Sequence, residues 1–247
     1  MELYNGVYCI GENAFNFSKE YLKARELEKR ILSDEQVLKL PNYKGENRLV
    51  NEWKLRKCSM ARFHHYINKN YNRATILDLG CGNGWFTNSL ANLSNVYNVI
   101  GVDVNLHELE QAARVFKKPN LSFINGNVFE IKQFVGAFDI IVINAAIQYF
   151  PDVQKLLTVL ELYLKSNGEI HIIDSPFYTT NFEVRKAKQR TQEYYSKLGV
   201  PGMANHYHHQ HVKNMSRFRV MYRPKNIFFK LFSKNDSPFM WFRYKNN

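Results

Sequence analysis

Residues 75–90, TILDLGCGNGWFTNSL, decide the fold of this chain. A β-branched and apolar run, Thr75-Ile76-Leu77, ends at an acid, Asp78. A glycine-rich turn follows, Gly80-Cys81-Gly82-Asn83-Gly84, and then a helical pattern with Phe86, Leu90 and Leu93 on one face. Strand, glycine turn and helix make a corner that cradles a nucleotide, because glycine admits positive φ and close backbone approach. The same corner also occurs as plain structure, so its neighbours have to decide. A dinucleotide fingerprint, G-x-G-x-x-G, places its third glycine where this chain has Trp85. The third glycine here comes one residue early, at Gly84, which speaks against a nicotinamide dehydrogenase.

The neighbours repeat the pattern. Residues 98–102 (NVIGV) read as a second buried strand ending at Asp103, about twenty residues beyond the last glycine. An acid there can accept from both ribose hydroxyls. Residues 121–124 form a third strand before Asn125-Gly126-Asn127-Val128. Residues 138–143 (FDIIVI) form a fourth, with Asn144, Ala145, Ala146, Gln148 and Tyr149 at its carboxyl end, and 168–174 (GEIHIID) a fifth. D-x-G-x-G-x-G followed by these strand ends resembles the class I S-adenosylmethionine (SAM) methyltransferases, in particular the methyltransferase type 11 group, over about residues 75–174. The resemblance implies SAM as cofactor. It assigns the cofactor contacts to Asp78, Gly80, Cys81 and Gly82, to Asp103 and Val104, to Asn127 and Val128, and to Asn144. The family commonly has an acid where this chain has Asn127, whose side-chain oxygen can still accept from the adenine amine.

Alternation of strand and helix, with helices at 106–116 and 153–164, implies an α/β, Rossmann-like doubly wound sheet with its ligand at the strand carboxyl ends. The resemblance completes it to seven strands, mostly parallel with one antiparallel, the last two over 217–222 and 238–244 with a short helix at 227–232 between them. Residues 1–73 are expected to be a helical extension covering the cofactor site, with helices over 18–32 behind a Ser18 cap and over 52–70, and a loop at 41–51. Residues 74–247 are expected to be the methyltransferase domain, with 175–247 as acceptor-side cap and last strands, including a helix at 181–198. Arg56 is either a partner for the methionine carboxylate of SAM or a surface arginine beside a buried tryptophan.

At 247 residues with 45% hydrophobic side chains the chain can bury a full core. Its net charge of +12 is uneven: +5 over 1–73, −4 over 74–174 and +11 over 175–247. The basic last third attracts anions or is simply a solvated surface. Cys9, Cys58 and Cys81 are too scattered for a disulfide framework or a zinc site, and no metal is expected. No leader pattern and no 18-residue apolar run appear, so a cytoplasmic protein without stable membrane insertion is expected.

For chemistry, SAM carries its own reactive methyl group; the protein positions the acceptor and, for a hydroxyl, removes a proton. Gln148, Tyr149 and Tyr178 are candidate acceptor contacts. Asp174 orients the acceptor or a histidine, or caps a loop. His208 and His209, from the group His206, His208, His209 and His211, suit a general base or are packing residues. The expected activity is methyl transfer to an oxygen or nitrogen of a small polar or anionic molecule. The alternatives are an RNA methyltransferase, for which the fourth strand end lacks [DN]-P-P-[YFW], and a non-catalytic SAM-binding interaction protein.

Overall fold

The computed structural model describes residues 2–11, 15–224 and 236–246, with 15–18 as backbone. The chain opens with a hairpin, β1 (Glu2–Tyr4) and β2 (Val7–Cys9), followed by α1 (Phe15–Leu27), α2 (Asp34–Leu38) and α3 (Asn47–Asn70). The alternating core follows as β3 (Ala74–Leu79), α4 (Trp85–Ala91), β4 (Val96–Asp103), α5 (Leu106–Val115) and β5 (Leu121–Asn125). It continues as β6 (Phe138–Asn144), α6 (Val153–Tyr163) and β7 (Leu164–Ile173). Then come β8 (Phe177–Tyr178), α7 (Asn181–Lys197), β9 (Gln210–His211), β10 (Arg219–Tyr222) and β11 (Trp241–Lys245).

The main sheet runs β1-β2-β5-β4-β3-β6-β7-β11-β10. Every pairing from β2 through β7 is parallel, and β11 lies antiparallel to both β7 and β10. The central strands are near-continuous apolar runs because helices cover both faces. Ile76, Leu77, Ile140, Ile141, Ile170 and Ile172 are fully buried. This is the expected doubly wound sheet, corrected from seven strands to nine and from one reversed strand to two, β11 and the edge strand β1, which is antiparallel to β2. The two additional strands are the N-terminal hairpin, which turns on Asn5-Gly6 with φ of 48° and 82°. Positive φ at both centres is what a tight hairpin requires, and Asn-Gly supplies it at little cost. Val7 anchors the hairpin in the core while β2 pairs with β5 at Ile124 and Asn125.

Other boundaries move. α3 starts at Asn47, because Leu49 already lies on the buried stripe that continues through Trp53, Phe63 and Ile67; the loop predicted over 41–51 is correspondingly shorter. α1 starts at Phe15, ahead of the predicted cap Ser18, whose side chain lies outside the described residues. The helix predicted over 227–232 lies outside them as well. The last two strands form slightly later than predicted, at β10 and β11.

Three placements prepare the site. α2 docks on α5, where Asp34 takes Nε and Nη2 of Arg114 at 2.6 and 2.9 Å. α1 packs on the 3-10 turn Pro201–His206 and α7 through Tyr21, Ala24, Tyr195, Val200 and Met203. α7 is capped by a reciprocal pair of bonds between Thr180 and Glu183, and it buries only Ala187 and Tyr195.

Candidate active site

The turn after β3 is held by backbone bonds from Gly80 and Cys81 to Val102 O, at 2.8 and 3.2 Å. Gly80, Gly82 and Gly84 all adopt positive φ, at 75°, 51° and 72°. A Cβ on Gly80 would stand 2.4 Å from Ala146 Cβ, and one on Gly84 would stand 2.7 Å from Ala112 Cβ and from the Phe123 ring. The early third glycine therefore performs the close helix–strand packing that the dinucleotide fingerprint gives to a later position. Gly82 donates its N–H to Asp103 Oδ2 at 2.9 Å, and Asn105 N–H reaches Oδ1 at 2.9 Å. Asp78 accepts from Thr87 Oγ1 at 2.7 Å through Oδ2; its Oδ1 is buried with no hydrogen-bond partner among the described residues. Burial pushes the Asp78 carboxyl up to about 7, against the Thr87 bond.

These groups face a cavity with about 1230 Å³ of free space, its open mouth included. Predicted cofactor residues Asp78, Gly80, Cys81, Gly82, Asp103 and Val104 line it. Asn127, Val128, Asn144 and Arg56 line it too, as does Tyr149 from the predicted acceptor group. Asn127 is partly engaged: its Oδ1 accepts from Phe129 N–H at 3.2 Å, capping a short 3-10 turn, and its Nδ2 donates to Glu130. Asn144 Oδ1 is buried without a partner among the described residues. A second orphaned buried acceptor beside the glycine turn marks a surface shaped for ligand donors.

Several lining residues went unpredicted. Glu108, in the first turn of α5, takes Asn105 Nδ2 at 3.1 Å and a hydrogen bond from Tyr21. Burial pushes it up to about 7, with the Arg25 charge opposing. Over the strand ends lie Tyr21 and Arg25 of α1, Arg30 and Leu32 of the following loop, and Leu49, Glu52 and Trp53 of α3. Trp53 meets Trp85 edge to face at 5.1 Å, and Tyr21 meets Tyr149 likewise at 5.7 Å. Glu52 receives Arg30 in two-pronged fashion at 3.0 and 2.6 Å, and Arg56 at 3.2 and 2.9 Å. Burial tends to raise the Glu52 carboxyl, but the Arg30 bonds and the Arg56 charge hold it down at about 2. Acid and base along the heptad-like run of α3 give a local cue for Arg56 with Glu52; nothing local points to Arg25 or Arg30.

Five predicted residues are not among those lining the cavity. Gln148 is buried, with Nε2 donating to Ala145 O at 2.6 Å, so it braces the turn after β6. Asp174 accepts from Ser59 Oγ at 2.6 Å and Ser237 Oγ at 3.0 Å, in a separate small cavity shared with Arg62 and Tyr222. His208 is drawn to the outside of the β6 turn by its N–H bond to Gln148 O at 2.7 Å. His209 packs against the rings of Tyr178 and Tyr207 at 5.6 and 5.2 Å. Tyr178 stays with it, on the small β8–β9 sheet. No described residue of 175–247 lines the cavity; that segment backs the wall formed by Tyr149 and α1. Among the described residues no group of three His, Cys, Asp or Glu is placed to hold a metal, and no helix is long and apolar enough to cross a membrane.

A family model described as a methyltransferase domain matches residues 71–225. A trans-aconitate 2-methyltransferase of Deinococcus radiodurans is 35% identical over 99 residues, 40% of this chain and 37% of the other. A malonyl-(acyl-carrier protein) O-methyltransferase of Halalkalibacterium halodurans is 33% identical over 97 residues, 38% and 36% of the two chains. The aligned segments thus span well under half the length of these relatives. In fold, the chain is similar to one from the complex of the Haloferax volcanii Trm112 methyltransferase activator with a methyltransferase, with a TM-score of 0.56 and 13% identity. That match covers 95% of this chain and 98% of the other.

Proposed function

We propose, because the chain belongs to the class I SAM-dependent methyltransferases, that it moves the methyl group of SAM onto an oxygen, or a nitrogen, of a small polar or anionic molecule. The carrying observation is one cavity that joins the glycine turn, Asp103 and the orphaned Asp78 Oδ1 to a roof of arginine and aromatic side chains. When bound, SAM supplies a sulfonium methyl group, an electrophilic carbon that needs no further activation.

The chain's own residues bind, orient and exclude water. Asp103 accepts from ribose hydroxyls with the lone pairs left by its backbone bonds. Gly80 and Gly82 let the backbone approach the amino-acid part, and Asp78 Oδ1 accepts from an ammonium or a bridging water. Arg56 pairs with the methionine carboxylate, while Asn127, Val128 and Val104 border the adenine. Asn144, Ala145 and Tyr149, at the end of β6, face the acceptor. Trp53, Trp85 and Tyr21 close the roof and keep water from competing as nucleophile.

Labelled SAM incubated with the protein and a cell extract should yield a labelled small molecule. Absence of label from every fraction, in protein that binds S-adenosylhomocysteine (SAH), would favour the non-catalytic alternative. The net +11 of residues 175–247 supports a second reading, an RNA acceptor. Salt-sensitive RNA retention with label in the RNA fraction would select it.

A further inference from the structure

We propose that Asp174 is a positioning residue: through Ser59 it clamps α3 over the strand ends, so that Arg56 stands where the methionine carboxylate of the cofactor is expected. The inference rests on the reading above, in particular on Arg56 as the partner of that carboxylate. Asp174 directly follows β7 and takes a left-handed φ of 51°. Aspartate visits that region more readily than most residues, but it stays there only where its surroundings hold it. Ile173, just before it, accepts Ala145 N–H at 3.0 Å, and Ala145 lines the main cavity. The clamp is thus built on the same strand ends as the site.

The Asp174 carboxylate is buried, and its Oδ1 gathers two hydroxyls from elements far apart in the chain. Ser59 of α3 donates at 2.6 Å, and Ser237, ahead of β11, donates at 3.0 Å. Both serines are buried, and the shorter bond has the length of a charge-assisted one. Arg62, three residues beyond Ser59 on α3, reaches Asp236 at 2.7 Å. The helix is therefore pinned twice against the segment that leads into β11.

What hangs from the pinned helix is the cavity roof. Leu49, Glu52, Trp53 and Arg56 line the main cavity, whereas Ser59 and Asp174 line the smaller one. Glu52, Arg56 and Ser59 follow one another at helical spacing on one side of α3, and Ser59 is only about 4.5 Å along the axis from Arg56. Fixing Ser59 fixes the height of Arg56, while Glu52 orients its head group at 3.2 and 2.9 Å. Burial pushes the Asp174 carboxyl up, and the Ser59 bond, the Arg56 charge, the Ser237 bond and the Arg62 charge oppose it. The smaller cavity has about 200 Å³ of free space, less than the roughly 300 Å³ at which ligand pockets begin. Asp174 therefore acts through α3 and not on an acceptor of its own.

The test uses the full chain and calorimetry with two ligands. SAH carries the amino-acid end; 5′-methylthioadenosine has the nucleoside and the sulfur but lacks that end. Arg56→Gln comes first and should weaken SAH while sparing methylthioadenosine; failure there would remove Arg56 from the carboxylate, and this inference with it. Ser59→Ala, well suited to a helix interior, should weaken SAH about threefold to tenfold and leave methylthioadenosine within about twofold. Asp174→Asn, which keeps an acceptor for Ser59, should stay closer to the unaltered chain than Asp174→Ala. In the Arg56→Gln chain, Ser59→Ala should change SAH affinity no further. A merely structural clamp would lower the melting temperature and leave the ratio of the two affinities in place. That result, an equal loss for both ligands, or SAH losses that add in the double variant would each overturn the inference while leaving the Arg56 reading intact.

Discussion

Asp103 Oδ2 accepts the backbone N–H of Gly82 at 2.9 Å, tying the end of β4 to the middle of the glycine turn. The carboxylate thus shapes the turn and still offers lone pairs to a ribose. Asp103→Ala should weaken SAH binding by roughly 1–3 kcal/mol, the cost of leaving buried donors unpaired. Calorimetry on the folded variant checks this, and an affinity equal to the unaltered chain would remove Asp103 from the site.

If Asp78 holds the cofactor as proposed, cofactor binding should depend on pH. Its carboxyl is pushed up to about 7 by burial, with Thr87 opposing and the Asp103 charge adding. Between its ordinary range near 4 and about 7, the folded chain keeps a proton that the unfolded chain has lost, so this group's contribution to stability falls as pH rises through that window. The positive end of the amino-acid part of SAH favours the ionised form. Affinity should therefore increase from pH 6 to pH 8, and Asp78→Asn should flatten the profile. A wild-type profile that is flat or inverted would contradict the role given to Oδ1.

Gly84 and Gly136 separate packing from backbone freedom. Both have positive φ, 72° and 65°, but only Gly84 would bring a Cβ into contact, at 2.7 Å from Ala112 and Phe123. Gly136→Ala should cost about 1–2 kcal/mol for the left-handed conformation alone. Gly84→Ala should cost about 1–3 kcal/mol more from overpacking. Urea denaturation of the two variants measures the difference; equal losses would show that the helix yields at Gly84.

Trp241 donates Nε1–H to His171 Nδ1 at 3.0 Å, and His171 Nε2 lies 3.1 Å from Glu169 Oε2. Because Nδ1 accepts, Nε2 carries the proton and donates to Glu169. Burial holds the His171 pKa below its ordinary value, Glu169 opposing. Below pH 6.5 the unfolded chain binds a proton here that the folded chain refuses, so stability is lost as pH falls. Burial tends to raise the Glu169 carboxyl, but the His171 and Tyr66 bonds hold it down at about 2, so its contribution is also lost toward acid. Trp241→Phe should cost about 1–3 kcal/mol by stripping Nδ1 of its donor. An unchanged urea midpoint would mean that the cavity refills with water at no cost.

The half of the candidate site around the glycine turn was legible because its determinants are local. Asp78, the three glycines and Asp103 sit at the ends of apolar strands whose burial on both faces makes them conspicuous. The roof was not, since Arg25, Arg30 and Glu52 meet only through the docking of α1 and α3 over the sheet. Their helices carry charges on most faces, and sequence alone does not show which charge turns inward. The Asn5-Gly6 hairpin was visible in principle, but two three-residue strands with one buried residue give little pattern to read. The histidine segment drew attention by composition. Its place was set by a backbone bond, His208 N–H to Gln148 O, that composition does not encode.

Hydrogen–deuterium exchange of the full chain with and without saturating SAH tests the central claim most directly. The account predicts slowed exchange in peptides covering the glycine turn at 80–84, the Asp103 to Glu108 stretch, and the roof at 21–30. Under the same conditions α7, exposed and outside the cavity, should change little. Unaltered exchange in the glycine turn and the roof, with SAH bound, would contradict the placement of the cofactor in this cavity.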